Sequence, residues 1–175
     1  MADSLPSPQP TEPPAGLPVS CQCGNITLTT PTPSPMGMSY CHCTTCRKQS
    51  GSAFGASVYF PTDLVFPLPR DLEAKLAVFE HPTDSGGTMR CFFCPKCGVR
   101  IFNAAVLADG RTMREMVAFK AGAIEEGWLD WKGLGKEHVF TRSAVIELAE
   151  GWVCYETMPG EGPAVVVKGE KGERG

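Results

Sequence analysis

The sequence predicts a mainly β chain. Helical 3.6-residue periodicity is scarce along its 175 residues. The apolar stretches are short and rich in aromatic, small or β-branched residues, as in Ser52–Phe60 (SAFGASVYF) and Glu115–Lys120 (EMVAFK). Proline and glycine, 16 and 19 residues respectively, cut the chain into segments that suit strands and turns better than long helices.

Residues 1–18 are rich in proline with Ser, Thr, Gln and Glu, and so predict a disordered tail that cannot bury enough apolar surface to offset its ordering entropy. Order is expected from Val19. Cys21 and Cys23 lie two apart, on one face of an extended chain, and Gly24 permits a tight turn after them. Asn25–Thr30 alternates polar and apolar as a half-buried strand does, and Pro31, Pro33 and Pro35 end it in a loop. After Cys41-His42-Cys43, a C-x-x-C turn reaches Cys46. One helical turn over Arg47–Ser50 follows, stopped by Gly51. Ser52–Phe60 reads as a buried strand in which Gly55 marks a close approach by another backbone or a ligand.

Leu76–Glu80 and Thr88–Phe93 are strands, the second running into Cys94-Pro95-Lys96-Cys97-Gly98. Val99–Phe102 returns, which makes a hairpin with the cysteines at its tip. Glu115–Lys120 and Glu137–Thr141 are further strands. Trp128 and Trp131 are expected over a core edge, and residues 151–155 form a short apolar segment. One domain is expected over 19–157, with a second disordered tail, rich in Gly, Glu and Lys, over 158–175.

The hydrophobic fraction of 42% allows a real core, and no apolar run approaches the length of a membrane helix. The N-terminus has neither a basic n-region nor an apolar h-region, so a reducing, cytoplasmic setting is expected. In such a compartment clustered cysteines are metal ligands more often than disulfides. The formal charge of -3 becomes about -6 once seven thiolates and two Zn²⁺ are counted, which argues against a nucleic-acid partner. The oligomeric state is left open.

Nine cysteines are present, and seven fall in close groups. Zinc is the economical explanation, because thiolates at short spacing converge on one tetrahedral ion. The grouping suggests two ions per chain. Cys21, Cys23, Cys94 and Cys97 would close a four-thiolate site, and C-P-x-C-G is a strong zinc-knuckle signal. Cys41, Cys43 and Cys46 would leave one tetrahedral position open, where a substrate or water could bind. A thioredoxin-like redox pair at Cys43 and Cys46 lacks the βαβ context it needs.

C-x-C-G at Cys21–Gly24, C-H-C-x-x-C-R with G-S after it at Cys41–Ser52, and F-C-x-x-C-G at Phe93–Gly98 resemble the glutathione-dependent formaldehyde-activating enzyme family, which includes the centromere protein V proteins. Ala121–Ala123 and His138–Ser143 are similar to its C-terminal half. The resemblance covers roughly residues 19–150. It implies a β-tent of several twisted antiparallel sheets held by zinc. It also implies a structural zinc on Cys21, Cys23, Cys94 and Cys97, and a second zinc on Cys41, Cys43 and Cys46 near a thiol substrate. The implied activity joins glutathione and formaldehyde to S-(hydroxymethyl)glutathione, a carbon–sulfur lyase reaction in the family's classification. Cys91, the loop at 31–35 and both tails depart from the pattern.

Other residues keep two readings. His42 could be a fourth ligand, but in an extended C-x-C its side chain points away from its neighbours, which favours a packed histidine. His81 and His138 read as surface or strand histidines, and Cys91 and Cys154 as small core residues. Arg47 and Arg142 could hold glutathione carboxylates bidentately or make surface ion pairs. The expected chemistry is addition of a thiol to a small carbonyl compound, or its elimination. An isomerase or dehydratase using the same site, and a non-catalytic zinc protein that binds a partner, are the alternatives.

Overall fold

A computed structural model describes residues 15–135 and 137–168. Residues 1–14 of the expected N-terminal tail and 169–175 of the C-terminal one lie outside it. The mainly β class holds. Among the described residues there are two sheets. Pro18–Ser20 (β1) and Thr27–Thr29 (β2) form a small antiparallel ribbon. The main sheet contains Gly37–Cys41 (β3), Gly55–Pro61 (β4), Ala77–Pro82 (β5), Thr88–Phe93 (β6), Arg100–Val106 (β7), Met113–Lys120 (β8), Glu137–Val139 (β9), Val153–Cys154 (β10) and Val165–Val166 (β11). Its order is β11-β10-β9-β3-β4-β8-β7-β6-β5. Pairing is antiparallel except for β9, which runs parallel to both β3 and β10.

Period-two alternation gives this sheet two unlike faces. On one face Met38, Val58, Phe60, Val117, Phe119, Phe102, Ala104 and Phe92 are buried. The registers Val58↔Phe119 and Phe102↔Phe119 align them, and Phe60, Phe119, Phe102 and Phe92 stand in aromatic contact at centroid distances of 4.5–5.3 Å. Each such burial stabilises by about 1.5–3 kcal/mol. Leu17, Val19 and Ile26 from the small ribbon join the same core, tied to the chain after β8 by a bridge from Val19 to Ile124. The opposite face carries Ser39, Cys41, Ser57, Tyr59, Lys120, Asn103 and Cys91 in adjoining registers. It is polar, and the helix Thr44–Ser50 (α1) packs on it.

Several boundaries differ from the sequence expectation. The helix begins at Thr44 rather than Arg47, because the Cys43 side chain accepts the Cys46 N–H as an N-cap, while Gly51 at φ 60 ends it as expected. The strand from Glu137 ends at Val139, since Phe140 adopts a left-handed φ of 56 that no strand continues through. Residues 151–155 do contain β10. Val165–Val166, inside the stretch expected as a tail, pair with β10. Trp128 packs against the core, whereas Trp131 stays exposed.

Candidate metal centres and active site

Two knuckle turns build the outer cluster. In the first, the Cys21 N–H donates to the Ile26 carbonyl and the Gly24 N–H to the Cys21 carbonyl. In the second, the Cys94 N–H donates to the Val99 carbonyl and the Gly98 N–H to the Cys94 carbonyl. Gly24 and Gly98 both need the left-handed region, at φ 71 and 76. These turns bring the sulfurs of Cys21, Cys23, Cys94 and Cys97 within 4.8 Å of one another. Cys21 to Cys23 is 3.6 Å and Cys23 to Cys94 is 3.7 Å. Four sulfurs at about 2.3 Å from one tetrahedral ion would stand about 3.8 Å apart, so the donor set fits. The Ile26 N–H points at the Cys21 sulfur at 3.2 Å, the contact expected of a thiolate. Burial pushes the Cys21 thiol up, yet that N–H and the thiols of Cys23 and Cys94 bring it below its usual range, against a smaller upward push from Cys97.

The inner cluster gathers Cys41 from the end of β3 with Cys43 and Cys46 from the start of α1, again within 4.8 Å. All three are partly exposed. Hydrogen bonds from the Cys41 and Cys46 thiols hold Cys43 well below the usual thiol range, and the same contact to Cys43 pushes Cys41 far above it. Three thiols this close cannot all ionise unaided, and a divalent cation would remove that conflict. Gly55 proves to be the close approach: a Cβ there would stand 3.2 Å from the Cys46 Cβ, so glycine lets α1 settle on β4. Each cluster could thus hold a metal ion, and none of the nine cysteines is in a disulfide.

His42 is fully buried between Cys41 and Cys43. Its Nε2 lies 2.9 Å from Nδ1 of His138, which is buried on β9. Trp152 stacks on His138 at 3.8 Å and Tyr40 covers the other side at 4.9 Å. Burial lowers both imidazoles, His138 to about 4, so they are neutral near pH 7. The sequence offered no sign of this pair.

Of the arginines, Arg47 lies on α1 with a buried Nε that has no partner among the described residues. Arg142 is exposed and 3.8 Å from Asp84. Cys91 and Cys154 are buried strand residues outside both clusters, and His81 bonds the Pro82 carbonyl. The polar face beside the inner cluster holds groups that the sequence reading did not single out. Ser39 Oγ and Tyr59 Oη are 2.5 Å apart, and Lys120 donates to Ser57 Oγ at 3.2 Å. The only signal for Lys120 was a charge at the end of an otherwise alternating strand.

The fold and its two cysteine clusters define a β protein equipped to hold metal ions. The pattern of the glutathione-dependent formaldehyde-activating enzyme family matches residues 17–143, and the chain belongs to that family. No curated protein matches the chain in sequence. Among the described residues no helix is long and apolar enough to cross a membrane.

Proposed function

We propose that the protein is a zinc-dependent carbon–sulfur lyase-type enzyme that adds a thiol such as glutathione to a small carbonyl compound such as formaldehyde, or reverses that addition. The observation that carries this reading is the difference between the clusters: four thiols in the outer one, three in the inner one. Cys21, Cys23, Cys94 and Cys97 would hold a structural zinc, and Cys41, Cys43 and Cys46 a second. A zinc ion held by Cys41, Cys43 and Cys46 would have room for a substrate thiol and would favour its ionised form, the nucleophile.

The chain's own groups orient this chemistry. The N-cap at Cys43 and the absence of a side chain at Gly55 set the positions of Cys43 and Cys46. The Tyr59 hydroxyl, kept protonated by burial, shares the face of Cys41 and can donate to the carbonyl oxygen. As the C–S bond forms, the carbonyl π pair moves to that oxygen, which takes up the equivalent of the proton lost by the thiol. No oxidant is needed. Arg47, and Arg142 once released from its loose contact with Asp84, are proposed contacts for substrate carboxylates. The free thiols suit a reducing, cytoplasmic setting.

Cobalt in place of zinc tests the reading, because each added Co–S bond strengthens the sulfur-to-metal charge-transfer band. Glutathione should strengthen the band, S-methylglutathione should not, and Cys41→Ser should abolish the response. An unchanged spectrum with glutathione would overturn thiol binding at the inner site.

A further inference from the structure

The polar face of the main sheet brings two cations together beside the inner cluster. Lys120 ends β8 in register with Ser57 of β4, one alternation along from Gly55, which pairs with Cys41. Arg100 begins β7, and a bulge decides where it points. Phe92 pairs with Phe102 but Phe93 pairs with Arg100, so Ile101 is the extra residue. Without it, alternation would send Arg100 to the apolar face. With it, Arg100 shares the face of Phe93 and Cys91. Its positive charge acts on the Cys91 thiol and lowers it, though burial pushes that thiol up further.

No carboxylate pairs with either cation among the described residues, where the ion pairs are Arg90 with Glu80 and Arg142 with Asp84. Nη1 of Arg100 and Oε1 of Gln49 are buried without a hydrogen-bond partner. Gln49 reaches over from α1, its Nε2 3.8 Å from the Cys91 sulfur. Lys120 donates to Ser57, and the Asn103 amide, turned to satisfy both of its ends, accepts from Lys120 at 3.0 Å. Both of those acceptors are neutral. Burial draws the Lys120 ammonium below its usual range, the Cys46 thiolate opposes that, and Arg100 adds to the fall. Two partly buried cations with only neutral acceptors and thiols around them are costly unless an anion completes the group.

We propose that Lys120 and Arg100 form an anion subsite next to the inner cysteines, so that the thiol taken by this protein carries a carboxylate. This rests on thiol binding at the inner site. The planar fork of Arg100 suits a carboxylate, Lys120 supplies a second charge, and Asn103 and Ser57 hold the lysine in place. The subsite selects among thiols: a carboxylated thiol gains a contact that a neutral thiol of the same length does not.

The test uses the cobalt-loaded full chain and two probes, 3-mercaptopropionate and 3-mercapto-1-propanol, titrated through the charge-transfer band. The carboxylate should bind at least about tenfold more tightly, the size of one charge-assisted hydrogen bond. Lys120→Met and Arg100→Gln should each remove most of that preference while leaving the affinity for 3-mercapto-1-propanol unchanged, and Lys120→Arg should keep it. Equal affinities in the wild type overturn the subsite, whatever the variants do. Loss of both thiols alike in folded, cobalt-loaded variants overturns it too, since the cations would then serve the metal centre alone. A band that ignores both probes instead overturns thiol binding at the inner site, and the subsite's role with it.

Discussion

His42 Nε2 and His138 Nδ1, 96 residues apart in sequence, meet at 2.9 Å inside the protein. One N–H serves both rings, and the contact ties the segment between Cys41 and Cys43 to β9. Because β9 lies parallel to β3, Cys41↔Val139 and Tyr40↔His138 are neighbours in the sheet. The inner cysteines are therefore braced from behind by a buried, neutral imidazole pair.

That pair makes stability depend on pH. The folded His138 titrates near 4, because burial and then His42 oppose its charge, whereas an unfolded histidine titrates near 6.5. Between those values the unfolded chain binds the proton more readily, so stability falls as pH drops from about 6.5 towards 4 and is retained above that window. Thermal midpoints of the wild type and His138→Gln, taken at pH 7.5 and pH 5, test this. The wild type should lose more on acidification than the variant. Parallel losses would assign the pH effect to other groups, metal release included.

The outer cluster should be needed for folding. Structural zinc contributes roughly 10–16 kcal/mol in small zinc-binding peptides, against a whole-domain stability of about 5–15 kcal/mol. Cys94→Ser removes a sulfur that is fully buried, so the variant should be insoluble or lack a cooperative melt. A soluble Cys94→Ser protein with a sharp transition would count heavily against a structural metal there.

The inner cluster should be separable from the fold. Cys43 has two jobs, proposed metal ligand and N-cap of α1. Serine is a good N-cap, so Cys43→Ser should keep the helix, while Cys43→Ala should cost a further 1 kcal/mol or so. Metal content should fall from two ions per chain to one in both, with the thermal midpoint little changed in the serine variant. Unfolding as severe as in Cys94→Ser would make the inner ion structural.

Gly55→Ala should damage the inner cluster without touching a ligand. The new methyl would stand 3.2 Å from the Cys46 Cβ, and α1 must shift to relieve it. Overpacking of this kind costs about 1–3 kcal/mol. The expected result is weaker metal retention against a chelator at the inner site, with the outer ion kept. Unaltered retention at both sites would show that α1 can move without moving Cys46.

Family membership, the mainly β class and the grouping of seven cysteines were legible in the sequence, because each rests on local chemistry. Two thiols at C-x-C or C-x-x-C spacing lie close in any extended chain or turn, and Gly24, Gly51 and Gly98 announce left-handed turns that other residues adopt at a cost. The start of α1 was misjudged for a local reason as well: a cysteine acting as N-cap is not a signal that composition supplies. The tertiary structure decided everything that depends on strand order and register. It brought the turn at Cys21 to the turn at Cys94, placed His138 behind His42 through a parallel β9, and turned Arg100 onto the face of Lys120 by one extra residue at Ile101. Strand pairing is non-local, and a shift of one residue exchanges the two faces of a sheet. For that reason a sequence can name its thiols, yet only the folded sheet shows which charges stand beside them.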